Sequence, residues 1–174
     1  MTLFAAFLRG VNVGGVNLKM AEVATVLSDA GFTNVRTILA TGNVLLESKS
    51  GLDTPAAVRK KAEAALRERF GYEAWVLAYD IDTVRAISEA FPFEREVDGY
   101  QSYVTFVTDA KVLDELAALP AGSDEKIAPG TGVIYWQVPK GGTLDSTIGK
   151  TMGKPRYKSS TTTRNLRTLA KVLQ

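Results

Sequence analysis

The order and period of the apolar runs predict an α+β fold of two ferredoxin-like (βαββαβ-type) subdomains, the second incomplete or rearranged. Three observations carry this. Short β-type runs alternate with longer runs of helical period. Over residues 1–80 they follow the order β-α-β-β-α-β, which defines the first subdomain. Over residues 81–174 a connecting helix is followed by β-α-β-β-α, the same plan without its last strand.

Leu3 to Leu8 is a short apolar run stopped by Gly10, the pattern of a buried strand. Met20, Val23, Val26 and Leu27 stand at helical spacing, so a helix is expected from Lys19 to Ala30, with Gly31 as its stop. Val35 to Ala40 and Val44 to Glu47 are β-rich runs joined by Thr41-Gly42-Asn43, a tight hairpin. Asp53 or Thr54 can cap the next helix, Pro55 suits its first turn, and Gly71 ends it. Ala74 to Tyr79 completes the first set as a strand, and Asp80 to Ala90 reads as a helix.

Beyond the charged run Glu94 to Asp98, Ser102 to Val107 reads as a strand and Asp109 to Leu119 as a helix capped by Asp109. Strands are expected at Glu125 to Ala128 and Val133 to Val138, around a Pro129-Gly130 turn. No regular pattern is visible from Pro139 to Ser160, where Gly141, Gly142, Gly149, Gly153 and Pro155 interrupt the chain. A last helix is expected from about Thr162 to Leu173.

Composition narrows the chemistry. The 174 residues are 45% apolar and 23% charged, ordinary for a globular chain. There is no cysteine and no histidine, which excludes thiolate chemistry, Ser-His-Asp triads and most transition-metal sites. Carboxylate pairs such as Asp80/Asp82, Glu94/Glu96 and Asp114/Glu115 read as caps or solvated faces, so no metal site and no cofactor is expected. The N-terminus lacks a signal-peptide pattern and no apolar window is long enough to span a bilayer. The expectation is a cytoplasmic protein with no membrane partner.

Topology then brings two polar-glycine segments together. The crossover helix sets the first two strands running in one direction, so their C-terminal ends share one edge of the sheet. Arg9-Gly10-Val11-Asn12-Val13-Gly14-Gly15 leaves that edge, and Thr41-Gly42-Asn43 turns on it. The glycine spacing at 10, 14 and 15 is not that of a dinucleotide-binding fingerprint. Loops at a strand's C-terminal edge commonly bind ligands, and Arg9 and Asn12 supply a charge and an amide. Lys19 stands where a cation opposes the helix dipole, a cost that a bound anion would offset.

The C-terminal segment is the other anion-friendly stretch. Residues 145–174 hold seven basic residues against Asp145 alone, a net of +6, while residues 1–144 carry −4. Either an anionic partner binds this segment or it folds back onto the acidic body. Ser159 to Thr163 place several hydroxyls before Arg164 and Asn165, with Lys154, Arg156, Tyr157 and Lys158 just ahead. At a helix N-terminus that set suits a phosphate. Gly149-Lys150-Thr151 lacks the glycine five residues earlier that a P-loop needs, and Pro155 stops the following helix. Tyr100, Tyr103, Phe106, Tyr135 and Trp136 lie on expected strands, but alternation sends at least half of them to the core, and no RNA-recognition consensus is present.

These segments also resemble a known family. Phe7-Leu8-Arg9-Gly10-Val11-Asn12-Val13-Gly14-Gly15, Lys19-Met20, Thr41-Gly42-Asn43-Val44, and Thr163-Arg164-Asn165 with Thr168 and Lys171 resemble the domain of unknown function 1697 family. The resemblance covers nearly the whole chain and implies an α+β fold of two ferredoxin-like subdomains, without a function. Thr41 stands where members usually show Ser, and Leu166 where many carry an aromatic residue.

The expected function is a binding module for a phosphorylated or other anionic ligand, a small molecule or nucleic acid. Its candidate residues are Arg9, Gly10, Asn12, Lys19, Thr41, Gly42 and Asn43 in the first half, and Lys158, Thr163, Arg164 and Asn165 in the second. An enzyme acting on a small anionic metabolite, with Lys19 or Lys158 as base, is the alternative, and a protein-interaction module is a third.

Overall fold

Strand β1, Thr2–Arg9, alternates a helix-facing set, Phe4, Ala6 and Leu8, with an opposite set, Ala5, Phe7 and Arg9. The structure is a computed structural model that describes residues 2–9, 18–39, 42–49, 54–71, 73–143, 146–157 and 159–174. It divides into two units, Met1–Val84 with Lys171–Gln174, and Arg85–Ala170.

In the first unit β1 is followed by α1 (Met20–Asp29), β2 (Thr33–Ile38), β3 (Asn43–Ser48), α2 (Pro55–Phe70) and β4 (Trp75–Asp80). The strands form one antiparallel sheet in the order β2-β3-β1-β4. This is the ferredoxin-like arrangement the sequence predicts. Strands β1 and β2 run in the same direction with β3 between them. Val23 and Leu27 of α1 and Val58, Ala62 and Leu66 of α2 close the core over Phe4, Ala6, Leu8, Val44, Leu46, Val76 and Ala78. The boundaries of α2 follow local chemistry. The Thr54 hydroxyl accepts the Ala57 N–H, Pro55 opens the helix, and Gly71 closes it at φ +66°.

Helix α3 (Ile81–Glu89) leads on to β5 (Tyr100–Val107), α4 (Ala110–Ala117), β6 (Lys126–Gly130) and β7 (Val133–Pro139). Then come α5 (Thr147–Met152), a 3₁₀ turn at Pro155–Tyr157, β8 (Thr161–Asn165) and α6 (Leu166–Val172). The second sheet has the order β6-β7-β5-β8, the same plan as the first. Four expectations are corrected here. The fourth strand is present: Thr161–Asn165 pairs with β5, and the last helix begins at Leu166 rather than Thr162. Three consecutive β-branched threonines suit a pleated strand once a neighbour supplies the ladder. The irregular stretch contains α5, whose Ser146 hydroxyl caps it through the Gly149 N–H and whose Ile148 and Met152 are buried. Pro129 and Gly130 lie within β6 and the turn falls at Thr131–Gly132. Because β6 is an edge strand, Pro129 forfeits no necessary ladder bond.

One face of the second sheet packs Val107, Ile134, Trp136 and Val138 against Leu116 of α4 and Ile148 and Met152 of α5. The other carries Tyr135, whose hydroxyl donates to the Ile87 carbonyl, and Gln137, whose amide donates to the Glu94 carbonyl and the Ser102 hydroxyl. Those bonds lay the 87–95 segment across the sheet.

Candidate functional site

Of the residues expected at a site, Gly10, Asn12, Thr41 and Lys158 lie outside the described residues. Arg9, Lys19, Gly42 and Asn43 belong to the first unit, and Thr163, Arg164 and Asn165 to the second.

In the first unit, Arg9 is the last residue of β1 and is half-buried. Desolvation pushes the pKa of its guanidinium down from the ordinary arginine value, leaving it charged at neutral pH. The turn between β2 and β3 is tied to this strand end, because the Leu8 N–H donates to the Gly42 carbonyl at 2.8 Å. Glycine is required there: φ is +86°, and a Cβ would stand 3.0 Å from Leu8 Cβ and 3.1 Å from the Leu8 carbonyl oxygen. Leu39, at the other end of the turn, has φ +62° and is the one large apolar side chain left exposed among the described residues.

Asn43 has a structural part in this arrangement. It begins β3, is fully buried, and its amide donates to the Ile38 carbonyl across the hairpin. Helix α1 starts at the same edge, since it runs back along the sheet from the end of β1. Lys19 is its N-cap and offers no side-chain cap; its carbonyl instead accepts from the Glu22 and Val23 N–H groups. The exposed Lys19 side chain therefore adds charge without satisfying the first turn.

The two units differ at this point. The connection from β1 to α1 spans ten residues, 10–19, whereas that from β5 to α4 spans two, Thr108 and Asp109. Asp109 fills the short connection by accepting the Lys111 and Val112 N–H groups.

In the second unit the expected residues are engaged in holding the fold. The Thr163 hydroxyl bonds that of Thr105 at 2.7 Å, and Thr105 also accepts the Trp136 indole N–H at 2.9 Å. Arg164 donates to the Thr162 hydroxyl and the Thr163 carbonyl. The Asn165 amide donates to Gln101, while its oxygen accepts the Arg167 N–H at the start of α6. Because this stretch is a strand, its hydroxyls do not form a helix N-terminus. Part of the basic segment also folds onto acidic neighbours, through Arg156–Glu115 and an Arg167–Glu96 pair at 3.7 Å.

The strand aromatics are mostly core. Phe106, Tyr135 and Trp136 are buried, and Tyr103 is half-buried and stacked on Trp136 at 4.4 Å between centroids. Among the described residues no three acidic side chains are grouped so as to hold a metal, and no helix is long and apolar enough to cross a membrane.

One residue missed in the sequence belongs to the first unit's edge. Trp75 is the direct cross-strand partner of Arg9, so the two share a face of the sheet. The signal was non-local: only the register of β1 against β4 pairs them.

A family model described as a protein of unknown function, DUF1697, matches residues 1–135. No curated protein matches the chain. Among solved structures, the chain is similar to the conserved bacterial protein SP0830 from Streptococcus pneumoniae. The TM-score is 0.80 at 24% identity, over 99% of this chain and 97% of that one. At that identity the likeness speaks for the fold.

Proposed function

Since the chain belongs to the DUF1697 family, whose function is unknown, we propose an activity from the site itself: the first unit is a binding module for a phosphorylated or otherwise anionic ligand. The observation that carries this reading is the Leu8–Gly42 hydrogen bond. It fixes the β2–β3 turn against the strand end that bears Arg9, at the edge where Lys19 and the start of α1 also stand. A half-buried guanidinium attracts an anion more strongly than an exposed one, because less water screens the pair. The ten-residue connection at this edge, against two in the second unit, supports the reading, as long connections in small domains are commonly functional. A cytoplasmic setting, where phosphorylated compounds abound, is part of the proposal.

Phosphate and sulfate, compared with chloride at equal ionic strength, should raise the melting temperature of the wild-type chain. Arg9→Ala should weaken phosphate binding at least about tenfold in calorimetry. Arg164→Ala, whose side chain bonds within β8, should leave phosphate binding unchanged. A phosphate response that survives intact in Arg9→Ala would remove this edge from the proposal.

A further inference from the structure

We propose that the ligand at the Arg9 edge is a nucleotide, with its base stacked on Trp75 and its phosphate paired with Arg9. This rests on the anion-site reading above and names the class of ligand. Three observations in the first unit carry it.

The first is adjacency. Arg9 and Trp75 face each other across the antiparallel β1–β4 pair, which sets their Cβ atoms about 5 Å apart on one side of the sheet. A cation beside an aromatic ring matches a ligand whose anion and flat ring are also close together, as in a nucleoside monophosphate.

The second is access. Along this face Ala5, Phe7 and Leu77 are buried, whereas Arg9 and Trp75, at the C-terminal end of β1, are partly exposed. The aromatic and the cation stand where the buried stripe opens to solvent.

The third is the state of the ring. The Arg67 guanidinium lies 4.8 Å from the Trp75 ring centroid and is itself held by two hydrogen bonds to the Ala74 carbonyl, at 3.0 and 2.8 Å. The contact orients the indole before any ligand arrives, which reduces the ordering cost of stacking. Trp136 shows what a structural indole looks like in this chain. It is buried, stacked on Tyr103, and its N–H is donated to Thr105. The Trp75 indole N–H makes no hydrogen bond among the described residues, so its polar edge remains for water or a ligand. Stacking on an aromatic side chain tolerates any base, because every base has a π face. The site therefore carries no preference among adenine, guanine and uracil.

Fluorescence excited selectively at tryptophan reads this directly, since Trp75 and Trp136 are the two tryptophans in the chain. Wild-type protein is titrated with AMP, GMP, UMP, adenosine and ribose 5-phosphate, and the same compounds are followed by calorimetry. The three nucleotides should quench emission saturably with affinities within a few-fold of one another. Adenosine and ribose 5-phosphate should each bind at least about tenfold more weakly than AMP. Trp75→Phe should abolish the quenching, and Trp75→Leu should reduce AMP affinity toward that of ribose 5-phosphate, with circular dichroism confirming the fold of both. Arg9→Ala should weaken AMP and leave adenosine unchanged. Ribose 5-phosphate binding as tightly as AMP would overturn base stacking and leave the anion site standing. Failure of every phosphate compound to bind would overturn both.

Discussion

Residues of the Gly42-Asn43 type are easily taken for ligand contacts, because glycine and asparagine are the residues that turns and binding loops share. Here Gly42 is required by its backbone angle and by the nearness of Leu8, and Asn43 spends its amide on the Ile38 carbonyl. Their part is to hold the edge on which Arg9 stands. Arg9 was legible from the sequence as a charge following an apolar strand, whereas Trp75 read simply as part of the strand Ala74 to Tyr79. Another strand residue carries a prediction at this scale. Burial pushes the Tyr79 phenol up to about 12, against an opposing effect of the Arg59 charge. A phenol whose folded pKa lies above its unfolded value favours the folded state fully below pH 10, and that contribution is lost as pH rises through about 12. Chemical denaturation between pH 10 and 12 should therefore show wild-type stability falling by roughly 2–3 kcal/mol more than that of Tyr79→Phe. Parallel curves for the two proteins would count against the shifted phenol.

At the scale of elements, local signals sufficed where caps and apolar period agreed, as in α2 with its threonine cap and closing glycine. They failed where a neighbour supplied the reason for the structure. Strand β8 contains no apolar residue, yet Thr161 and Thr162 are buried because the β5 ladder and two hydroxyl bonds satisfy them, Thr161 to the Tyr157 carbonyl and Thr162 from Arg164. Helix α5 was hidden among glycines for a similar reason. Gly149 reads as a helix breaker, but it lets the helix pass close to the preceding turn: a Cβ there would lie 2.0 Å from the Thr143 carbonyl oxygen and 2.8 Å from Ser146 Oγ. Gly149→Ala should consequently destabilise the protein by roughly 1–3 kcal/mol, despite alanine's better helix propensity. Gly153→Ala is the control, as the atom nearest to its added Cβ, the Lys150 carbonyl oxygen, would be 3.5 Å away. Equal stabilities for the two variants in urea denaturation would show that the Thr143 contact does not constrain α5.

For the whole molecule, the α+β architecture was the most legible property, because it depends on the order of elements and tolerates errors of a few residues at each boundary. Charge distribution was legible only in part. The +6 of residues 145–174 is a sequence fact, but Glu115 and Glu96 draw Arg156 and Arg167 into surface pairs, which lowers the charge that segment presents. Pairs this exposed contribute little to stability. Replacing both acids, Glu96→Gln with Glu115→Gln, should leave the melting temperature nearly unchanged while delaying elution from a heparin column. Unchanged elution would mean that these cations were never masked.

The two open sheets also bear on how copies of this chain meet one another at high concentration. An edge strand with free ladder groups is a template for intermolecular pairing. In the first sheet the edge strand β2 is broken by a bulge between Thr33 and Arg36, with Asn34 in the left-handed region at φ +48°. In the second, the edge strand β6 carries Pro129, which has no N–H to offer. Each interruption denies an incoming strand a continuous ladder, so these two edges resist the growth of fibrils.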